Sequence, residues 1–93
     1  MKRISEWESF VKHPTAIKLS DNDKQTVLKF LKEQDPDAAA ASYTIDEIEG
    51  KSTNIPLCAY EYGDYYWDSR DILYFEKYDM PLQSDFLNLI LNA

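Results

Sequence analysis

The sequence predicts an α+β domain, with several short helices packed on a β-hairpin or small antiparallel sheet. Three observations predict it. Apolar residues recur at helical spacing near both ends of the chain. Between Ile55 and Trp67 the period changes to alternation, rich in β-branched and aromatic residues. The chain has 93 residues, 44% of them hydrophobic and 14% aromatic, which supports one domain over 1–93 with one core and argues against disorder.

The elements follow in order. Ser5-Glu6-Trp7-Glu8 reads as a capping box that opens a short helix. Trp7, Phe10 and Val11 share one face of it, and Pro14 ends it. Ser20 is the next N-cap, with Asp21 and Asp23 favoured in the first turn by the helix dipole. Lys24, Val27, Leu28 and Leu31 then follow at helical spacing. Asp35-Pro36 stops this helix and can start another, because Pro suits the first helical position and Ala38–Ala41 are good helix formers. Thr44-Ile45-Asp46-Glu47 reads as a second capping box, ending at Gly50.

A hairpin of about 56–67 comes next. Gly63-Asp64 suits a two-residue type II′ turn, which sets Tyr62 opposite Tyr65, Glu61 opposite Tyr66 and Tyr60 opposite Trp67. One face then carries Cys58, Tyr60, Tyr62, Tyr65 and Trp67, and it is the expected core face because aromatics bury the most area. Pro56 places its strand at an edge or marks the strand's start. Asp68 or Ser69 caps a helix of about 70–78, with Ile72, Leu73 and Phe75 turned inward, and Pro81 breaks the chain after it. Ser84 caps a last helix of about 85–92, on which Phe86, Leu87, Ile90 and Leu91 lie together.

The net charge of −7 is uneven. Met1–Gln34 holds seven Lys/Arg against five Asp/Glu, whereas Asp35–Asp79 holds three against eleven, together with all seven tyrosines. Such a field repels phosphate, which argues against direct nucleic-acid or anionic-membrane binding, and it steers a basic protein inward. No apolar stretch approaches the ~20 residues of a bilayer span. The first residues lack a secretory apolar region, and one cysteine forms no internal disulfide, so a cytoplasmic setting is expected.

No constellation for catalysis is visible, and a non-enzymatic role with no cofactor is expected. His13 is the only histidine and sits at a helix end before Pro14. Cys58 has no basic neighbour in sequence and reads as a buried, inert thiol. Zinc needs several Cys/His ligands at short spacing, and the chain has one of each. Asp21-Asn22-Asp23 lacks the glycine and distant glutamate of a calcium loop, and two glycines cannot build a phosphate loop. No metal is expected.

What remains is a surface. Glu61, Asp64, Tyr66 and Asp68 are expected to point outward from the hairpin, and Asp71, Tyr74 and Tyr78 to form an adjacent stripe on the following helix. Tyrosines interleaved with carboxylates suit a protein interface, with aromatic anchors for energy and charge for steering. The small size, acidity and Tyr/Asp content resemble bacterial immunity proteins, which neutralise cognate toxins, often basic nucleases. Asp71-Ile72-Leu73-Tyr74-Phe75 is similar to the Asp-apolar-apolar-Tyr-Tyr motif of the colicin DNase immunity proteins. That resemblance implies toxin contacts at Asp71, Tyr74 and Phe75. The colicin immunity fold is four helices without a hairpin, so the resemblance carries over inhibition and not architecture. The expected function is a stoichiometric inhibitor of a basic toxin domain, acting as a monomer or homodimer. The alternative is a regulatory or structural accessory module, phage-encoded or self-associating, in which the aromatic patch joins two copies.

Overall fold

The hairpin register is the one expected from the turn. Tyr62 stands opposite Tyr65, Glu61 opposite Tyr66 and Tyr60 opposite Trp67, in a pair formed by strands β3 (Lys51–Tyr62) and β4 (Tyr65–Asp68). Gly63 has φ +60°, and among the described residues Asp79 is the sole non-glycine residue with positive φ. Asp64 therefore has negative φ, which selects type II′ over type I′. These observations come from a computed structural model that describes residues 1–92.

Around the hairpin the fold is α+β: the described residues form four helices and a four-stranded mixed sheet. The remaining elements are β1 (Lys2–Arg3), α1 (Trp7–Lys12), α2 (Asp21–Glu33), β2 (Ala38–Asp46), α3 (Ser69–Tyr78) and α4 (Ser84–Leu91). The sheet order is β1-β4-β3-β2. Two strands were not expected. β1 pairs parallel to β4, setting Arg3 beside Tyr66, so the sheet is mixed and not purely antiparallel. β2 pairs antiparallel to β3 where a helix was expected.

The correction at β2 has a local cause. Four alanines favour a helix only weakly, and a helix needs a buried face to be stable. Ala38–Tyr43 buries none, since each of these residues is exposed. The alternation after them decides the matter: Thr44 and Asp46 are buried, while Tyr43 and Ile45 are exposed. The Thr44–Glu47 capping box is absent in consequence. Asp46 instead accepts the N–H groups of Ile48 and Glu49 and closes the turn that leads to β3. Gly50 has φ +69° there.

Three smaller expectations also change. Ser5 does not cap α1; Glu6 is the N-cap, without a side-chain hydrogen bond, and the Ser5 hydroxyl donates to Asp71. Pro56 lies inside β3 and not at its start. It is tolerated because β4 pairs with β3 only from Ala59 to Tyr62, so β3 has a single neighbour at Pro56. Gln83, not Ser84, is the N-cap of α4. The other caps agree with the sequence. Ser20 Oγ accepts from Asp23 N–H at 3.2 Å, and Asp68 opens α3 in a reciprocal box with Asp71.

The core forms where α2 and α4 cover the Tyr60/Tyr62/Tyr65/Trp67 face. Trp67 is buried between Tyr60, stacked at 5.9 Å, and Phe86 at 5.8 Å. Phe86 also meets Tyr65 edge-on at 5.2 Å. Val27, Leu28 and Leu31 of α2 are buried, as their spacing requires. Tyr62 departs from the expectation. It lies edge-on to Phe30 at 4.9 Å yet keeps 44% exposure, because it sits at the hairpin tip, where the cover ends. Among the described residues, no helix is long and apolar enough to cross a membrane.

Candidate functional site

The seven residues expected on the partner surface divide into two groups. Glu61, Asp64 and Tyr66 are exposed on the hairpin. Asp68 and Asp71 are buried, Tyr74 is fully buried and Tyr78 is half-buried. The expectation that Asp68, Asp71, Tyr74 and Tyr78 face solvent is therefore corrected. The helical stripe is real, but it faces inward. α1 and the β2–β3 turn cover it, and the sequence offered no sign that they would.

Asp71 shows why the stripe is internal. It is 0% exposed and lies where β1, α1 and α3 meet. Arg3 donates to it from Nη2 at 2.9 Å, Asp68 N–H donates at 2.9 Å, and the Ser5 hydroxyl donates as well. Burial pushes the Asp71 carboxyl up, against the pull of Arg3 and Ser5. Burial also acts on Asp68. There the Arg70 and Arg3 guanidiniums, with Nη2 at 2.7 and 2.5 Å, outweigh it and hold the carboxyl below its ordinary range. Burial would lower Arg3, but Asp71 and Asp68 overcome it and the guanidinium is held firmly charged. Arg70 and Arg3 also stand over the Trp7 ring at 4.4 and 5.8 Å. The cluster ties the first residues of the chain to the start of α3.

A second internal cluster holds the far end of α3. Tyr74 accepts from Glu47 N–H at 3.0 Å and donates to the Ile45 carbonyl at 3.3 Å, pinning the end of β2. Tyr78 donates to Asp46 at 2.7 Å, and Lys77 donates to the same carboxylate at 3.0 Å. Partial burial and the Asp46 acceptor push the Tyr78 phenol up to about 12. Burial would raise Asp46, but the donors from Tyr78, the Glu49 amide and Lys77 bring it below its ordinary range. Both clusters satisfy their own charges and leave little for a partner.

The free charge lies elsewhere. Among the described residues, the exposed carboxylates without a salt bridge are Glu6, Glu8 and Asp21 in the N-terminal third and Asp35, Asp37, Glu47, Glu61 and Asp64 around the sheet. Ala38 pairs with Ala59, and Asp37 N–H donates to the Ala59 carbonyl at 2.8 Å. This register brings the Asp35/Asp37 end of β2 beside the hairpin end of β3, which carries Glu61 and Asp64. Tyr62 and Tyr66 are exposed at the same end. The result is an acidic, aromatic rim at one end of the sheet. In the sequence Asp35-Pro36 has the form of punctuation between helices, which hides both this pair of carboxylates and β2. The alternation in Ser42-Tyr43-Thr44-Ile45 was the available signal.

The surface also holds concave sites, one of them beside the hairpin turn, lined by Tyr62, Asp64, Tyr65, Asp85 and Leu89. A groove of about 370 Å³ between α2, α3 and β3 is lined by Pro56, Cys58, Tyr60, Ile72 and Leu73, with the Lys32–Glu76 pair (2.7 Å) on its rim. Cys58 is half-buried in it, less enclosed than expected, and donates its N–H to the Ser69 hydroxyl. A pocket of about 270 Å³ holds His13 with Glu6, Ser9 and Phe10. His13 donates its backbone N–H to the Ser9 carbonyl at 3.1 Å, which is a helix-terminal contact. Among the described residues, no group of three His, Cys, Asp or Glu side chains is placed to hold a metal ion. No protein-family model, no curated protein and no solved structure matches the chain.

Proposed function

We propose that the chain is an immunity-type protein that binds a basic toxin domain, such as a nuclease, and neutralises it as a stoichiometric complex. The observation that supports this is the placement of unpaired charge. Asp35, Asp37, Glu61 and Asp64 gather at one end of the sheet beside Tyr62 and Tyr66, while the buried carboxylates Asp46, Asp68 and Asp71 are spent on internal partners and Glu76 on a surface pair with Lys32. Exposed carboxylates of one sign raise the encounter rate with a basic partner, and exposed tyrosines supply contact area at low entropic cost. Inhibition of this kind needs no acid, base or nucleophile. It needs occupation of the partner's basic cleft or of the surface beside it.

The test is co-purification with a basic toxin domain encoded beside this chain, followed by titration calorimetry. The complex is expected to survive physiological salt and to weaken as salt rises, because exposed charges are screened within about 8 Å at that ionic strength. The double variant Glu61→Lys/Asp64→Lys is expected to lose affinity by roughly tenfold or more, about 1.4 kcal/mol. Unchanged affinity in that variant removes the rim from the reading. Asp71→Lys and Tyr74→Ala are unsuitable probes, because both sites are internal.

A self-associating accessory module is the second reading, and one observation favours it. Tyr43 and Ile45 of β2 are 60% and 55% exposed. Sedimentation of the isolated protein separates the two readings: a stable dimer supports self-association, and a monomer supports capture of another chain.

A further inference from the structure

We infer that the partner is captured at the free edge of β2 by addition of an extended segment whose ends carry Lys or Arg. This rests on the basic-partner reading above and assigns it a site and a mode.

The sheet has two edges, and they differ. β1 is two residues long and offers almost no backbone to pair with. β2 is nine residues long and lies at the other edge. Sheet edges are ordinarily blunted by shortness, charge, proline, β-bulges or a covering loop. From Ala38 to Ile45 there is no charged residue and no proline, and the register shifts on either side of Tyr43 are the one such device on this edge. Among the described residues, no hydrogen bond beyond the ladder with β3 involves Ala38–Tyr43; the side-chain contacts of β2 begin at Thr44. Ala38–Ser42 carry the smallest side chains available to a strand, so an incoming backbone can approach closely. Strand addition draws its affinity from main-chain hydrogen bonds.

The ends of the edge determine which strand fits. Asp35 and Asp37 precede it, and Glu47 follows it, all exposed and without a salt bridge. A second copy fits poorly. Antiparallel pairing sets Asp35 and Asp37 of one copy near Glu47 of the other, and parallel pairing sets like residues side by side. Either adds repulsion to two chains that each carry −7. The β2–β3 register also shifts between Ala39 and Tyr43 and again between Tyr43 and Ile45, which bends the edge and disfavours two flat edges meeting. A flexible segment with basic ends meets neither obstacle. It follows the bend and places its charges on Asp35 and Asp37 at one end and on Glu47 at the other, where Lys51 and Lys77 offset part of the acidity, while the exposed Tyr43 and Ile45 cover its side chains.

The experiment selects binders to the full chain from a random dodecapeptide library and maps the most enriched peptide by amide hydrogen exchange. Enriched sequences are expected to be β-formers with Lys or Arg near their ends. Slowed exchange is expected within Ala38–Tyr43. Ala41→Lys, which sets a like charge on the edge, is expected to weaken binding at least tenfold with an unchanged circular dichroism spectrum. Should Ala41→Lys unfold, Asp35→Lys/Asp37→Lys is expected to show the same loss. Basic peptides that protect the Tyr62–Tyr66 tip instead would overturn the edge assignment and leave the basic-partner reading standing. Binders without excess basic residues, or none at all, would overturn both. Concentration-dependent protection of Ala38–Tyr43 in the protein alone would assign the edge to a second copy and overturn the inference.

Discussion

Asp71→Ala is expected to destabilise the protein by roughly 3–5 kcal/mol, the usual loss when one member of a buried ion pair is removed. The size follows from what the carboxylate holds. Without it the Ser5 hydroxyl and Asp68 N–H have no acceptor, and a buried donor left unpaired costs about 1–3 kcal/mol. Arg3 keeps Asp68 and some solvent, with 23% of its side chain exposed, so its share is smaller than that of a fully enclosed charge. Asp71→Asn keeps the shape and one acceptor oxygen, and its loss is expected to be smaller. Set against a total stability of about 5–15 kcal/mol, Asp71→Ala removes a large fraction. Urea unfolding followed by tryptophan fluorescence measures it, since Trp7 and Trp67 are both buried. With a slope near 1 kcal/mol/M for a small domain, the midpoint is expected to fall by roughly 3 M or more. Glu61→Ala is the comparison, exposed and unbridged, with an expected change within about 0.5 kcal/mol. A loss below about 1 kcal/mol for Asp71→Ala would refute the internal assignment and return Asp71 to the surface.

Two further outcomes follow from the second cluster. Tyr74→Phe keeps the ring against Trp7 (6.1 Å) but strips the acceptor from Glu47 N–H, so a loss of about 1–3 kcal/mol is expected, with faster exchange of the Glu47 amide; unchanged exchange there would contradict the hydrogen bond. Asp46 has a lowered folded-state pKa, so its contribution is present above the unfolded value of about 3.9 and is lost as pH falls through the lower folded value. The midpoint difference between wild type and Asp46→Asn is therefore expected to be largest near neutrality and to shrink below about pH 4, and a difference constant across that range would count against the Asp46–Lys77–Tyr78 assignment.

The sequence disclosed its elements where one local signal ruled. Ser20 before Asp23, Asp68 before Asp71, and Gly63 between two aromatic runs each set a cap or turn that the structure repeats. It misled where a local signal competed with tertiary context. Ala38–Ala41 carry helix propensity, but at a few tenths of a kcal/mol per residue propensity yields to pairing with β3. Ser5 has the spacing of a cap, yet its hydroxyl is drawn to a carboxylate 66 positions away. Neither β1 nor the cover over Asp71 and Tyr74 has a local signature, because two residues of strand and a long-range ion pair leave no period in the chain. Alternation in the hairpin separates Tyr60 and Tyr65 from Tyr66, but not Tyr62, which lies at the tip where the helical cover ends.

The likeness to the colicin immunity motif changes its meaning under this geometry. Asp71, Tyr74 and Phe75 are 0%, 0% and 2% exposed. To touch a toxin they would have to leave Arg3, Ser5 and the end of β2, at a cost of several kcal/mol before any contact formed. A partner surface built from those residues would spend the stability that holds the domain together. The exposed rim and the open edge of β2 carry no such cost: their carboxylates are unbridged, their alanines are uncovered, and binding there leaves both internal clusters intact. If this chain neutralises a basic protein, α3 is the frame that holds the sheet in place, and the sheet's edge and acidic end make the contact.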